Sequence, residues 1–440
     1  MIKIEKPLVV RIESTMLCNH KCFYCYNPAC RKAMKDDYAI GNIIELVKLL
    51  NSWGTFDITF TGGEPFINKK VLYAGIEEVK KTHMDFGINT NASLITRDDA
   101  KRLKDFGVAS LFVSFPSYDE KTFDAITGVN GSYKDVIRGL DNLSNEGLRI
   151  ATNMVIVNQP VNNVDHVYKT AQMLIRDFEI IRFCFAPISP NYKNHEQYAV
   201  VDNSIQTIFD QIIKISEEFK IDVKNSRPLP ICALEKMDKR LAQYDLFRGC
   251  TMGVVNGMTI DLNGNFKPCP VMQNPIGNVF QHSLQEIKEL MSVYDGTDIN
   301  KLKNVSPDEC FDCKVFDVCK GGCKTEALAV SNCFKTKSKY QGHIQDDTRL
   351  LEMIMKDQEL VLDTPCRIKP TMKWRQDSED VFIVRGERFA LLNKYEFDIL
   401  NYLQSLDSFN PLDFVKNNNL LTGKFNVFLN KLNKAKLLII

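Results

Sequence analysis

The alternation of apolar and polar positions divides the first half of the chain into short β-branched runs and longer amphipathic runs. Strands that alternate with helices are typical of a parallel α/β sheet, because parallel neighbours need a crossover helix. The predicted strands lie at 8–14, 57–61, 85–90, 110–114, 149–157 and 180–187, and the predicted helices near 40–51, 69–82, 97–105, 134–146, 162–175 and 203–219. Six such units are too few for a full eight-stranded barrel. We therefore predict a partial (β/α)6 barrel over residues 1–225.

The pattern changes after residue 225. Residues 226–345 contain fewer helical runs, many Gly and Pro residues, and eight of the fourteen cysteines. Small loop-rich segments of this kind need cross-links or metal in place of a large core. Residues 346–371 predict a charged helix and a turn-rich linker.

The last segment, 372–440, begins again as an independent unit. It predicts two strands, 380–384 and 388–393, then helices near 394–406, 411–418 and 423–435, and a closing strand at 437–440. This order of elements is that of a small winged helix. The predicted fold class is therefore α/β, with a partial barrel, a loop-rich cysteine domain and a small winged-helix domain.

Composition and charge narrow the class of protein. The net charge of +1 over 440 residues gives no electrostatic reason to expect nucleic acid or an anionic membrane as a partner. No run approaches the length of a membrane span, and the first residues have no signal-peptide pattern. We expect a cytoplasmic protein, in which cysteines serve as metal or cluster ligands more often than as disulfides.

Three cysteines directly follow the first predicted strand. Cys18, Cys22 and Cys25 have the spacing Cys-x3-Cys-x2-Cys. Three thiolates can hold one iron–sulfur cluster and leave one of its irons without a protein ligand. A structural zinc knuckle with His20 as the fourth ligand is the alternative that this stretch alone leaves open. The loop lies at the carboxyl end of its strand, where ligands of parallel α/β sheets bind.

A Gly-Gly-Glu-Pro turn, residues 62–65, follows the second predicted strand. Together with the three cysteines and Tyr24, it makes the first half of the chain resemble radical S-adenosylmethionine (SAM) enzymes. The resemblance implies a 4Fe-4S cluster on the cysteines, with SAM chelated to the open iron and its amino group received by this turn. Glycines would let the backbone approach the ligand closely, and Glu64 could accept a charge-assisted hydrogen bond.

Further SAM contacts follow from the same resemblance. Asn91 and Ser114 lie where the family places ribose and methionine contacts, and Arg138 lies in a helix that can supply a partner for the SAM carboxylate. The alternatives are turn formation for Asn91 and Ser114, and a solvated helix face for Arg138. Relatives usually carry Asp-Gly after the fourth strand, where this chain has Phe-Pro-Ser. The predicted cofactor-binding residues are Tyr24, Gly62, Gly63, Glu64, Asn91, Ser114 and Arg138.

A second set of cysteines resembles the SPASM extension, which carries two auxiliary 4Fe-4S clusters. It comprises Cys250, Cys269, Cys310, Cys313, Cys319, Cys323 and Cys333. By this resemblance Cys310, Cys313, Cys319 and Cys333 complete one cluster, whereas Cys250, Cys269 and Cys323 give the other only three thiolates. The latter is either open to a substrate or closed by another ligand such as Cys232. The alternative is a pair of zinc ribbons; the resemblance implies three 4Fe-4S clusters in all.

Residues 372–440 resemble the winged-helix peptide recognition elements of ribosomally made, modified peptides. Such elements bind an extended leader as an added strand at a sheet edge. The alternative for a winged helix is DNA binding, but Lys and Arg form no dense patch here. The resemblance therefore implies a precursor peptide with a leader as partner.

These resemblances together imply a peptide maturase. An electron donor such as flavodoxin or ferredoxin would reduce the cluster, and the radical derived from SAM would abstract hydrogen from a peptide carbon. A cysteine thioether is the outcome that an open auxiliary cluster favours. Carbon–carbon or carbon–oxygen cross-linking, epimerisation and formylglycine formation in sulfatases are the alternatives. A more distant one is an iron–sulfur sensor that acts on DNA.

Overall fold

The computed structural model describes part of the chain, in two compact units. One unit comprises Leu8–Ile354, and the other comprises Met1–Pro7 with Met355–Ile440. The described residues are 6–27, 36–158, 161–188, 203–229, 258–272, 274–292, 316, 321–323, 366–369, 372–377, 380–385, 388–418, 420, 422–435 and 437–439.

The unit that begins at Leu8 is built on one ten-stranded sheet, with the strand order β10-β9-β8-β1-β2-β3-β4-β5-β6-β7. Its strands are β1 (Val9–Thr15), β2 (Asp57–Gly62), β3 (Asp85–Thr90), β4 (Ser110–Ser114), β5 (Ile150–Ile156), β6 (Arg182–Pro187), β7 (Asp222–Asn225), β8 (Thr259–Asp261), β9 (Asn265–Lys267) and β10 (Gly277–Asn278). Its helices are α1 (Asp36–Ser52), α2 (Lys69–Val79), α3 (Arg97–Asp105), α4 (Glu120–Thr127), α5 (Ser132–Asn145), α6 (Val167–Phe178), α7 (Asn203–Phe219) and α8 (Leu284–Ser292). The strands β1 to β7 run parallel, so the predicted α/β fold is confirmed.

The strands follow from strict alternation of side chains between two faces. Ile12 of β1 and Phe60 of β2 are completely buried, in one cluster with Ile43 of α1. The residue after Ile12 is the charged Glu13, which lies on the opposite face. Burying each large apolar side chain contributes about 1.5–3 kcal/mol, which makes this register strongly preferred.

The sheet extends beyond the six predicted strands at both ends. β7 pairs in parallel with β6, and β8 pairs in parallel with β1 through Arg11–Thr259 and Glu13–Asp261. β7, β8, β9 and β10 have two to four residues each, so alternation along the chain could not identify them. Helix α4 was also missed, because it has only eight residues between an Asp119 N-cap and Gly128.

The described residues of the second unit form two small sheets and three helices. A three-stranded antiparallel sheet has the order β12-β13-β14, and β11 pairs with β15. The elements are β11 (Arg367–Ile368), β12 (Lys373–Asp377), β13 (Asp380–Arg385), β14 (Arg388–Asn393), α9 (Lys394–Gln404), α10 (Pro411–Asn417), α11 (Thr422–Lys434) and β15 (Leu438–Ile439). The sequence did not predict β12, because four of its five residues are polar or charged. The predicted domain boundaries at 225, 345 and 371 remain predictions.

A buried ion pair ties β12 to the start of the chain. Arg375 donates from Nε and Nη2 to the two carboxylate oxygens of Asp377, each at 2.8 Å. Its guanidinium also donates to the carbonyl oxygens of Lys6 and Pro7, at 3.1 and 3.5 Å. The side chain of Asp377 is 2% exposed and that of Arg375 is 11% exposed. Both charges are therefore almost entirely removed from water and satisfied by each other.

Within the described residues, no helix has the length and apolar character needed to cross a membrane.

We expect Arg375→Met to destabilise the second unit by about 3–5 kcal/mol, because it leaves the Asp377 carboxylate buried and unpaired. The chain has two tryptophans, and a Trp53→Phe background leaves Trp374, next to the substitution, as the fluorescent reporter of urea unfolding. The double variant Arg375→Met/Asp377→Leu should recover most of the loss. An unchanged unfolding midpoint in the single variant would contradict this account of the pair.

Candidate functional site

The cysteine loop follows β1 at the carboxyl edge of the sheet. Its backbone is fixed by two hydrogen bonds, from Lys21 N to Thr127 O at 2.8 Å and from Cys25 N to Cys22 O at 3.1 Å. Thr127 is the last residue of α4, so the helix that the sequence pattern missed supports this loop. The Cys18 side chain is exposed, and those of Cys22 and Cys25 are half-buried.

The Gly62–Pro65 turn is joined to the cysteine loop through the backbone. Gly63 N donates to Thr15 O, and Glu64 N donates to Leu17 O, each at 2.7 Å. A Cβ atom on Gly62 or Gly63 would lie 2.0 Å from those same carbonyl oxygens, and Gly62 has a φ of +127°. The glycines are therefore required for the approach of two protein segments, whereas the sequence suggested approach to a ligand.

The side chain of Glu64 joins the turn after β2 to the turn after β3. Glu64 is 1% exposed. Its Oε1 accepts from Phe66 N at 3.1 Å and from Thr90 Oγ1 at 2.7 Å, and its Oε2 accepts from Asn91 N at 2.6 Å. Burial raises the pKa of Glu64 to about 7, while these three hydrogen bonds act to lower it. The carboxylate thus positions the turns, and a contact of the turn with SAM remains a prediction.

Asn91 continues this connection to the first cysteine. Its Nδ2 donates to Asn19 Oδ1 at 3.0 Å and lies 3.9 Å from Cys18 Sγ. Its Oδ1 accepts from Ser93 N at 2.9 Å and from Ser93 Oγ at 2.6 Å. Asn19 Nδ2 donates to Ser93 Oγ at 2.8 Å. Sequence reasoning missed Asn19 and Ser93, although the first directly follows Cys18 and the second lies two residues after Asn91.

The three thiols are surrounded by groups suited to a cluster. Removal from water, together with the neighbouring thiols, raises the pKa of Cys18 to about 11 and that of Cys22 to about 12. Iron ligation would deprotonate these thiols outright. The Tyr24 hydroxyl donates to the thiol of Cys22, and Asn27 N donates to Cys25 Sγ at 3.4 Å. Each thiol thus faces at least one donor, and Cys18 faces both the His20 backbone and the Asn91 amide. The residues present therefore fit a cluster held by three thiolates.

The zinc alternative would add His20 to the three cysteines as a fourth ligand. In the part of the chain that the structure describes, no three His, Cys, Asp or Glu side chains are grouped closely enough to hold one metal ion. A cluster distributes its thiolates over different irons and needs no such grouping. His20 is 5% exposed, and burial lowers the pKa of its imidazole.

The remaining predicted SAM contacts differ in their surroundings. Arg138 pairs with Asp135 at 2.8 Å and donates to Ser93 O at 3.3 Å, which places it beside the Asn91 connection. Ser114 ends β4 and lies opposite Asn153 of β5. The Oδ1 atom of Asn153 is buried and has no hydrogen-bond partner among the described residues. Asn153 is a further candidate that the sequence did not indicate.

The loop after β4, where the sequence departs from the Asp-Gly of relatives, is anchored to the start of α6. Ser117 is completely buried, and its Oγ lies 2.8 Å from His166 Nδ1. Asn163 Nδ2 donates to Pro116 O at 2.8 Å. These residues give the loop a structural role.

Two of the seven auxiliary cysteines belong to the described residues. Cys269, two residues after β9, is half-buried, and Cys323 is buried. Lys267 of β9 forms a buried ion pair with Glu13 of β1 at 3.0 Å, which fixes β9 to the strand that carries the cysteine loop. The other five lie outside the described residues and are Cys250, Cys310, Cys313, Cys319 and Cys333.

Comparison with known proteins gives the type of domain. Residues 12–174 match the Radical SAM superfamily. Fe-coproporphyrin III synthase of Methanosarcina barkeri (strain Fusaro / DSM 804) is 27% identical over 356 residues, which cover 74% of this chain and 86% of that protein. GTP 3′,8-cyclase of Thermodesulfovibrio yellowstonii is 27% identical over 282 residues, which cover 59% of this chain and 80% of that protein.

Two solved structures share the fold. Streptococcus suis SuiB bound to its precursor peptide SuiA has a TM-score of 0.56 and 18% identity, over 74% of each chain. The protein anSMEcpe with bound AdoMet and Cp18Cys peptide has a TM-score of 0.56 and 18% identity, over 79% of this chain and 99% of that one. Residues 12–174 therefore have the sequence of a radical SAM domain, and members of that superfamily bind SAM and a 4Fe-4S cluster.

We expect Glu64→Gln to destabilise the first unit by about 1–3 kcal/mol, because a Gln amide cannot accept from both Phe66 N and Asn91 N. The loss should also depend on pH. The folded-state pKa of about 7 lies above the usual 4.5, so the proton stabilises the fold below pH 4.5 and this contribution is lost as pH rises through 7.

Urea unfolding of the wild type and of Glu64→Gln at pH 5 and pH 8 measures this dependence. The stability advantage of the wild type should be larger at pH 5. Glu45→Gln, on the exposed face of α1, controls for the loss of a charge. An advantage that is equal or larger at pH 8 would contradict the proposed cost of burying the ionised carboxylate.

Proposed function

We propose that this radical SAM enzyme modifies a ribosomally made precursor peptide, and that a cysteine thioether is the bond it forms. Two features together support the proposal. Backbone hydrogen bonds join the cysteine loop to the Gly62–Pro65 turn, and a separate unit has a small antiparallel sheet that suits peptide binding. The first feature supports SAM chemistry, and the second supports a peptide substrate.

Cys18, Cys22 and Cys25 would hold the SAM-binding 4Fe-4S cluster. When bound and reduced by a donor such as flavodoxin or ferredoxin, the cluster supplies the electron that cleaves SAM and so yields a radical able to abstract hydrogen from carbon. The backbone of Gly62 and Gly63 would orient the amino group of SAM. Tyr24, Ser114 and Arg138 are proposed as further residues around SAM, and Asn91 lies beside Cys18.

Glu64 acts in this proposal by holding geometry. Its carboxylate fixes the turns after β2 and β3 relative to each other, so both reach the ligand already ordered. A site that is ordered before binding avoids the entropy cost of arranging its groups around SAM. The buried Oδ1 of Asn153, which lacks a partner among the described residues, suits a hydroxyl or amide donor of a bound ligand.

The unit containing residues 372–440 is proposed as the leader-binding element. In its three-stranded sheet, β12 and β14 are the outer strands, and a sheet edge can accept an extended peptide as a further strand. Arg375 of β12 contacts the chain's own Lys6 and Pro7, whereas α11 packs beside β14. We therefore place the leader at β14, where side chains of α11 such as the exposed Val427 can contact it.

The auxiliary cysteines carry the proposal of a thioether. Cys310, Cys313, Cys319 and Cys333 would complete one 4Fe-4S cluster, and Cys250, Cys269 and Cys323 would leave the other one ligand short. A peptide cysteine bound at that position would be held as a thiolate. Its bond to the carbon radical would release one electron, which the auxiliary cluster would accept. SuiB bound to a precursor peptide and anSMEcpe bound to a peptide support a peptide substrate by analogy of fold.

A small-molecule substrate is the second candidate. The similarity to Fe-coproporphyrin III synthase covers 74% of this chain, which is far more than the radical SAM domain alone. This candidate predicts that turnover does not depend on residues 372–440 or on any leader.

Deletion of residues 372–440 should abolish binding of the leader-containing precursor encoded in the neighbouring reading frame, while SAM cleavage without peptide survives. Fluorescence anisotropy of the labelled precursor measures the binding, with a scrambled leader as the control ligand. A matched variant, Val427→Asp, should weaken leader binding at least tenfold without unfolding the unit, because its side chain is exposed. Unchanged leader affinity in the deletion variant would contradict the peptide proposal and favour the small-molecule candidate.

A further inference from the structure

Asn91, Asn19 and Ser93 form a closed ring of hydrogen bonds beside the first cysteine. Asn91 Nδ2 donates to Asn19 Oδ1, Asn19 Nδ2 donates to Ser93 Oγ, and Ser93 Oγ donates to Asn91 Oδ1. The distances are 3.0, 2.8 and 2.6 Å. Each side chain in the ring therefore donates one hydrogen bond and accepts one.

The ring determines which way the Asn91 amide points. Ser93 N can only donate, so the atom that it faces at 2.9 Å must be the amide oxygen of Asn91. The amide nitrogen then faces the opposite direction, toward Asn19 and Cys18. Its two hydrogens have two acceptors, since one meets Asn19 Oδ1 and the other is directed at Cys18 Sγ, 3.9 Å away.

The backbone of Asn91 is held as firmly as its side chain. Its N–H donates to Glu64 Oε2 at 2.6 Å, and Glu64 is 1% exposed. Arg138 donates to Ser93 O at 3.3 Å on the other side of the ring. A donor that is fixed through both backbone and side chain keeps its orientation when the charge on the neighbouring sulfur changes.

We propose that Asn91 is a positioning residue that donates a hydrogen bond to the Cys18 thiolate of the bound cluster and thereby raises the reduction potential of that cluster. Asn19 and Ser93 orient the donor. The sequence comparison with radical SAM enzymes suggested a SAM contact for Asn91, whereas the geometry assigns its amide to the sulfur. A hydrogen bond to a cluster sulfur stabilises the reduced, more negative state, and so makes the cluster easier for a donor to reduce.

The inference rests on the cluster of the proposed function and is independent of its peptide substrate. Asn91→Asp tests it with the smallest change, because the aspartate keeps the acceptor for Ser93 N and the backbone donor to Glu64. It replaces the N–H groups that face Cys18 and Asn19 by a carboxylate oxygen, which adds one negative charge. Asn142→Asp on α5 is the matched control, since Asn142 Nδ2 donates to Ile95 O at 3.0 Å and not to a cluster ligand.

The measurement is an anaerobic redox titration of the full chain. Its readout is the electron paramagnetic resonance signal that changes when SAM is added. That change identifies the SAM-binding cluster among the others. We expect a lower midpoint potential for Asn91→Asp than for the wild type and for Asn142→Asp. The dissociation constant for SAM should stay within about twofold of the wild-type value.

An unchanged midpoint potential of the cluster, together with weaker SAM binding, would overturn the proposal and identify Asn91 as a SAM contact.

Asn91→Ser provides a second test, because its shorter side chain cannot reach the sulfur and adds no charge. It should lower the potential in the same direction. If neither variant assembles the cluster, Asn91 serves the folding of the loop and the proposal is wrong. A wild type without any SAM-responsive signal would remove the proposed function, and this inference with it.

Discussion

The buried carboxylate of Glu64 is the interaction on which the site depends. It accepts hydrogen bonds from the backbone of Phe66, the hydroxyl of Thr90 and the backbone of Asn91, and almost none of it is exposed. Removing a carboxylate from water is costly, and burial accordingly raises the pKa of this group. The three donors offset that cost only while the turns after β2 and β3 keep their relative positions. The burial of Glu64 and the positions of the two turns therefore depend on each other.

The position of the cysteine loop depends on the turn that contains Glu64. Gly63 and Glu64 donate from their backbones to carbonyl oxygens of Thr15 and Leu17, at the start of the loop. Asn91 then reaches Cys18 from the next turn along the sheet edge. Parallel strands make this possible, because they place the ends of β1, β2 and β3 side by side. The register in which the apolar side chains of β1, β2 and β3 pack therefore determines where the thiols of the cysteine loop lie.

Much of the fold and part of the site could be predicted from the sequence. The strands β1 to β6 alternate apolar and polar residues over five to seven positions, and their positions follow from that local pattern. The strands β8 and β12 could not be predicted, since three residues or a mostly polar run become strands only through pairing. β8 pairs with the distant β1, and β12 pairs with β13, which follows it. The glycines of the turn were predicted, but their reason was not, because it depends on the carbonyl oxygens of Thr15 and Leu17. Asn19 and Ser93 resemble ordinary loop residues until the ring that they form is seen.

The central claim is that the cysteine loop and the Gly62–Pro65 turn together form a SAM-cleaving site. Its most direct test is the anaerobic formation of 5′-deoxyadenosine from SAM, with dithionite as the reductant and mass spectrometry as the detection method. The wild type and Cys366→Ser, a substitution of a buried cysteine in the other unit, should both form this product. Cys22→Ser should form none. Absence of the product with cluster-loaded wild type, or equal amounts from Cys22→Ser, would contradict the account.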